Sequence, residues 1–168
     1  IEPTGGDFAG DFSTVGFSFA DDLGGLTIGK LSSADGTADV NVTLLDAVDS
    51  TITIAGPLTV YGKNIDIDSA LTATGVTLVA ADGGVLSINS TMTAEAESDI
   101  SLAAGEVDIS AAIAGSGALT IRPIDAASTI NLSGSADAAV SSLDITASEV
   151  AFIGDGFGSI TLGSGTQA

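Results

Sequence analysis

Three apolar positions return along this chain at one spacing. Ile65, Ile67 and Leu71 reappear twenty-one residues later as Leu86, Ile88 and Met92, and after another twenty-one as Val107, Ile109 and Ile113. Upstream, Val42, Leu44 and Val48 fit the same scheme; downstream it continues more loosely with Ile130, Leu132 and Ala136, then Val150, Phe152 and Phe157. A second series lies between these copies: Leu58/Val60, Val76/Leu78, Ile100/Leu102, Leu119/Ile121, Leu143/Ile145 and Ile160/Leu162. Apolar residues two apart share one side of a strand, and the residue between them faces the other way. The intervening residues are polar: Asp66, Ser87, Asp108 and Asn131 in the first series, and Thr59, Thr77, Ser101, Thr120, Asp144 and Thr161 in the second.

A repeat of this length, built from short strands without a sustained helical period, is the signature of a β-solenoid. One copy cannot bury its apolar side alone, whereas stacked copies bury it against each other. The expected fold is all-β, a right-handed parallel β-helix with 20–21 residues per coil. Residues 1–168 read as a single β-helix segment, part of a longer repetitive protein, with 1–36 less regular. About eight coils spaced by about 4.8 Å would give a rod on the order of 40 Å long. A sandwich also uses many short strands, but its antiparallel pairs require no constant long register. Phe8, Phe12, Phe17 and Phe19 read as core residues of wider N-terminal coils, and Pro57 and Pro123 as corner residues, since proline donates nothing to a ladder.

The run Ile54 to Asp68 (IAGPLTVYGKNIDID), followed by Ala70 to Gly75 (ALTATG), resembles repeats of filamentous-haemagglutinin-like exoproteins. So do Leu119 to Ile124 (LTIRPI), Ile130 to Gly134 (INLSG) and Phe152 to Gly163 (FIGDGFGSITLG). The resemblance covers most of the chain, most strongly residues 50–163. It implies a parallel β-helix within a large secreted bacterial protein of the cell surface, acting in adhesion, aggregation or biofilm.

Charge and chemistry narrow the function. The chain holds 22 acidic residues against Lys30, Lys63 and Arg122, a net charge of −19. Nucleic acid is not an expected partner, because a phosphate-binding face needs clustered cations. No apolar run reaches membrane-spanning length, so membrane insertion is not expected. Hydrophobic residues make up 45% of the chain, enough to bury a core and to argue against disorder. Without His or Cys, the common triads and thiol nucleophiles are absent, and no enzyme is expected. Asp66, Asp68 and Asp108 could pair as carboxylates for sugar chemistry, but outward strand positions are ordinarily a solvated face.

Calcium is the cofactor the acidic turns admit, with Asp21, Asp22, Asp35, Asp82 and Asp155 as candidate oxygen ligands. Asp-Gly pairs are equally ordinary turn chemistry, so the reading without any cofactor stands beside it. Thr59, Thr77, Thr120 and Thr161 form a partial row, as do Thr72/Thr74 with Thr91/Thr93. Such rows suit an ice-binding face, although Ser101 and Asp144 interrupt the first and Ala111 and Ala112 follow the second. The expectation is a structural stalk or stacked fibre whose partners are copies of itself or flanking repeats. A lateral face that binds a host or cell-surface glycan is the alternative.

Overall fold

The computed structural model describes residues 10–17, 19–20, 22–29, 40–47, 49–95, 97–125, 127–133 and 142–163. They form a parallel β-solenoid. A partial first coil holds β1 (Phe12–Ser13) and β2 (Leu26–Ile28). Four complete coils follow: β3 (Val42–Leu44) with β4 (Thr51–Gly62); β5 (Ile65–Ile67) with β6 (Ala70–Ala80); β7 (Val85–Ile88), β8 (Met92–Ala94) and β9 (Ile100–Ala104); and β10 (Glu106–Ile109), β11 (Ile113–Ala114) and β12 (Ala118–Pro123). The last section holds β13 (Thr129–Ser133), β14 (Ser142–Thr146), the one-turn helix α1 (Ala147–Val150) and β15 (Ser159–Leu162).

Among the described residues all pairings are parallel, with one register irregularity between β4 and β6. One sheet runs β1-β3-β5-β7-β10. Its columns stack Phe12, Val42, Ile65, Leu86 and Val107 on one another, and beside them Leu44, Ile67, Ile88 and Ile109. In the larger sheet Leu71, Met92 and Ile113 form one column, and Leu58, Val76, Ile100, Leu119 and Ile160 another. From Val42 to Ile121 these inward side chains are essentially inaccessible to solvent, and they fuse into one continuous core. Residues in the sequence alternate because each strand has one face on that core and one on water.

The corners require particular residues. A Cβ on Gly84 would collide with the Lys63 carbonyl oxygen one coil below, and a Cβ on Gly117 with that of Ser98, so both turns accept only glycine without displacement. Polar ladders flank the smaller sheet. At its start Asn64 Nδ2 donates to Asn41 Oδ1 at 2.8 Å and Asn41 Nδ2 donates to Asp11. At its end Asn89 Nδ2 donates to Asp68 and Ser110 Oγ donates to Asn89. Each ladder satisfies corner groups where the strands end.

Several expectations change. Among the described residues the stack has four complete coils with part of a coil on either side, not eight, because the outer coils are longer. The step from Phe12 to Val42 in the smaller sheet and from Leu26 to Leu58 in the larger both exceed the regular spacing. From first level to last, the spacing gives on the order of 25 Å. Pro57 lies inside β4 at the register irregularity between Ile54 and Pro57, and Pro123 ends β12 opposite Ala104. A bulge or a strand end supplies what proline needs, a position with no ladder donor. Phe12 and Phe19 pack against the core, but Phe17 is exposed, with its ring stacked on Phe19. Phe8, Val48 and Ala136 lie outside the described residues.

The main difference follows β12. Leu143 and Ile145 do not continue the column of Leu119 and Ile121; Ile160 and Leu162 do. Ile153 bridges to Ile113. The coil above β10, β11 and β12 is therefore β14, Ile153 and β15, while β13 pairs with β14. Leu132 and Phe152, read from the sequence as inward, are exposed, and so is Val150, which belongs to α1. Both Ile130-x-Leu132 and Leu143-x-Ile145 carry the two-residue alternation, so periodicity alone does not choose between them.

The faces can be checked by unfolding. Ile88→Ala is expected to cost about 2–5 kcal/mol, and Ser87→Ala to stay within about 0.5 kcal/mol. Urea unfolding of both variants measures this, and equal losses would contradict the assigned register.

Candidate functional site

Two features of the solenoid offer chemistry or contact: its lateral face and the section where β14 meets β10. On the lateral face, strand register assembles a hydroxyl column more regular than the sequence suggests. Thr27, Thr59, Thr77, Ser101, Thr120 and Thr161 stand on consecutive levels of the larger sheet. Thr27 extends the row, and Asp144 drops out of it because β14 belongs elsewhere. A second column, Thr53, Thr72 and Thr93, ends at Ala114. At about 4.8 Å per level the hydroxyls are too far apart to bond directly to one another and close enough to share a bridging partner.

The acidic residues are dispersed. Asp66 and Asp108 share the outward column Thr43, Asp66, Ser87, Asp108, with a level between them, and Asp68 accepts from Asn89. Asp22, Asp82 and Asp155 are exposed in separate turns. Among the described residues no three His, Cys, Asp or Glu side chains converge as a metal site. Asp21 and Asp35 lie outside the described residues. Among the described residues no helix is long and apolar enough to cross a membrane.

The β10–β14 seam is the feature the sequence reading missed. The two strands do not share a ladder; β10 ends its sheet, and β14 pairs with β13. Two buried carboxylates lie between them. Glu106 Oε1 accepts from the Val107 N–H at 2.8 Å, and both its oxygens accept from the Asp144 N–H at 3.3 Å. Glu149 Oε1 accepts from the Ile109 N–H at 2.8 Å, while its Oε2 accepts from the Thr146 N–H at 2.8 Å and the Thr146 hydroxyl at 2.9 Å. Each carboxylate thus ties one β10 amide to one β14 amide. Backbone donors that a neighbouring strand would normally satisfy are met by side chains.

Glu149 is placed by α1. Thr146 caps the turn, its hydroxyl accepting from the Glu149 N–H, while Glu149 reaches back to the Thr146 N–H. This is a capping box, and its Thr-x-x-Glu signal was legible in the sequence. Glu106 carries no such signal. Burial pushes its pKa up to about 7, and the negative Asp108 and Asp144 nearby add to the rise, against the lowering effect of the bonds from Val107 and Asp144. Asp144 is itself buried, with the Ser142 hydroxyl 3.3 Å from its Oδ1.

Comparison with protein-family models finds no match, and neither do searches of the curated proteins and of the solved structures.

Removing the Glu149 side chain should leave the Ile109 N–H without an acceptor and uncap α1. Glu149→Ala is expected to cost at least about 2 kcal/mol, with Glu149→Gln retaining part of that because its amide oxygen still accepts. Denaturant unfolding of the two variants ranks them; an Ala variant as stable as the parent would remove the seam's structural role.

Proposed function

We propose that this chain is a non-catalytic structural segment of a secreted bacterial surface protein, working as a rigid stalk extended by end-to-end stacking. The observation that carries the reading is the section beyond β12. Among the described residues β13 and β15 each pair with a single strand. Two large apolar side chains are open to solvent there: Leu132 is 67% exposed and Ile160 49%. A strand paired on one side presents a template for a further parallel strand. Flanking repeats of one chain or a second copy satisfy the same requirement, and a head-to-tail contact that does not close on itself yields a fibre. The resemblance to filamentous-haemagglutinin-like repeats supports the secreted, cell-surface setting.

A second reading rests on the hydroxyl column. Six uncharged polar residues on consecutive levels form a regular row that a glycan could follow with repeated hydrogen bonds, which is the adhesin alternative. An ordered water lattice is a further partner of that geometry. Calcium remains the ion to test against the acidic turns.

Electron microscopy and light scattering of the purified chain at rising concentration distinguish the two. Stacking predicts rods that lengthen with concentration, and the double variant Leu132→Lys/Ile160→Lys remaining short. The lateral reading predicts monomers that bind a glycan array and lose binding in Thr77→Leu/Thr120→Leu. Monomers of the parent chain at all concentrations, indistinguishable from the Lys variant, would overturn end-to-end stacking.

A further inference from the structure

The β10–β14 seam differs from the strand ladders of the stack. Elsewhere neighbouring strands are joined by backbone bonds, which do not titrate, with side-chain bonds such as Asn89 to Asp68 and the Ala118 N–H to Asp99 added at the corners. Here the joint passes through Glu106 and Glu149, both buried, and each carboxylate serves amides of both strands. We propose that this seam is a protonation-controlled joint, which holds β14 and α1 against β10 when Glu106 is neutral and loosens when Glu106 ionises.

The geometry shows why the neutral acid fits. Glu106 Oε1 is 2.8 Å from the Val107 nitrogen, and both oxygens are 3.3 Å from that of Asp144, so in the neutral acid Oε1 can accept both bonds with the proton on Oε2. The surrounding charge shows why the anion does not. Asp108 faces it from its own strand and Asp144 from β14, both raising its pKa. Glu149 belongs to α1, on the far side of the same seam. The other strands packed on β10, β7 (Val85–Ile88) and β9 (Ile100–Ala104), contain no charged residue. An ionised Glu106 is thus desolvated among like charges, and opening the seam returns it to water.

The direction with pH follows. In the closed seam Glu106 titrates at about 7, against an ordinary value of 4.5. Between these values the closed form holds a proton that the open form gives up. Closure is then strongest near the lower value, weakens as pH rises through the window, and levels off above about 7. This is opposite to the usual behaviour of a paired carboxylate.

Amide hydrogen exchange by NMR, corrected for intrinsic rates, reads the joint directly. In the parent chain, protection of the Val107, Ile109, Asp144 and Thr146 amides is expected to fall between about pH 5.5 and 8.5 by at least about tenfold, the equivalent of one pKa unit. Amides of β5 and β7 should keep their protection. Glu106→Gln, which matches the neutral acid in shape and retains the accepting oxygen, should abolish the difference. Unchanged protection in the parent, an equal fall in β5 and β7, or a Gln variant that tracks the parent would each overturn the joint. Should the Gln variant fail to fold, carbon NMR of the Glu106 carboxyl decides: a midpoint near 7 supports the joint, and one near 4.5 overturns it.

Discussion

A strand in a β-solenoid cannot satisfy its own backbone. Its N–H and C=O groups point along the axis, toward the coil below and the coil above. Everything else in this structure depends on that requirement. Neighbouring coils must run parallel and in register, so like residues fall on like, and a sequence that repeats its apolar positions builds continuous inward columns. The column Phe12, Val42, Ile65, Leu86, Val107 is the result. A one-residue slip would turn every one of these side chains into solvent and every Asp and Thr into the core, which makes the register strongly specified.

The same logic explains what the sequence makes legible. From Val42 to Ile121 the strands, their faces and their partners can be read from apolar alternation, even where the step between coils departs from the regular spacing, as from Val42 to Ile65 and from Val76 to Ile100. The hydroxyl column is legible there too, because Thr59, Thr77, Ser101 and Thr120 must share a face once their neighbours share the core. Corner chemistry is less visible. Gly84 and Gly117 are needed because of the carbonyls of Lys63 and Ser98 beneath them, and sequence does not show how closely one coil approaches another. The Asn41–Asn64 and Asp68–Asn89 bonds likewise depend on stacking, since their members are 23 and 21 residues apart.

Legibility ends where two segments compete for one place. After Ile109 the next level could be filled by Ile130 and Leu132 or by Leu143 and Ile145, and the apolar pattern favours the nearer pair. The structure selects the farther one. What marks β14 is polar: it is followed by a capping turn that delivers Glu149 to the Ile109 amide, 40 residues away. A buried acid contributes nothing to an apolar count and reads as a defect. It is nevertheless the group that completes the ladder, because a displaced strand leaves donors that no backbone carbonyl reaches.

The composition bears on this from another direction. A chain with net charge −19 and only three cationic side chains cannot neutralise its acids by pairing. Most of them are accommodated by solvent, on the outward column and in exposed turns, where like charges are screened. Glu106, Asp144 and Glu149 do not have that recourse, being buried at one level of the stack. Backbone amides take the place that Lys or Arg would hold in a more balanced protein. Amides stabilise a carboxylate as dipoles, without supplying a counter-charge, so hydrogen bonding can be satisfied while net charge is not. That imbalance falls at the level where β10 and β14 share no ladder, whereas in the regular coils below each strand is joined to the next by backbone bonds, with side-chain bonds such as Asn89 to Asp68 at the corners.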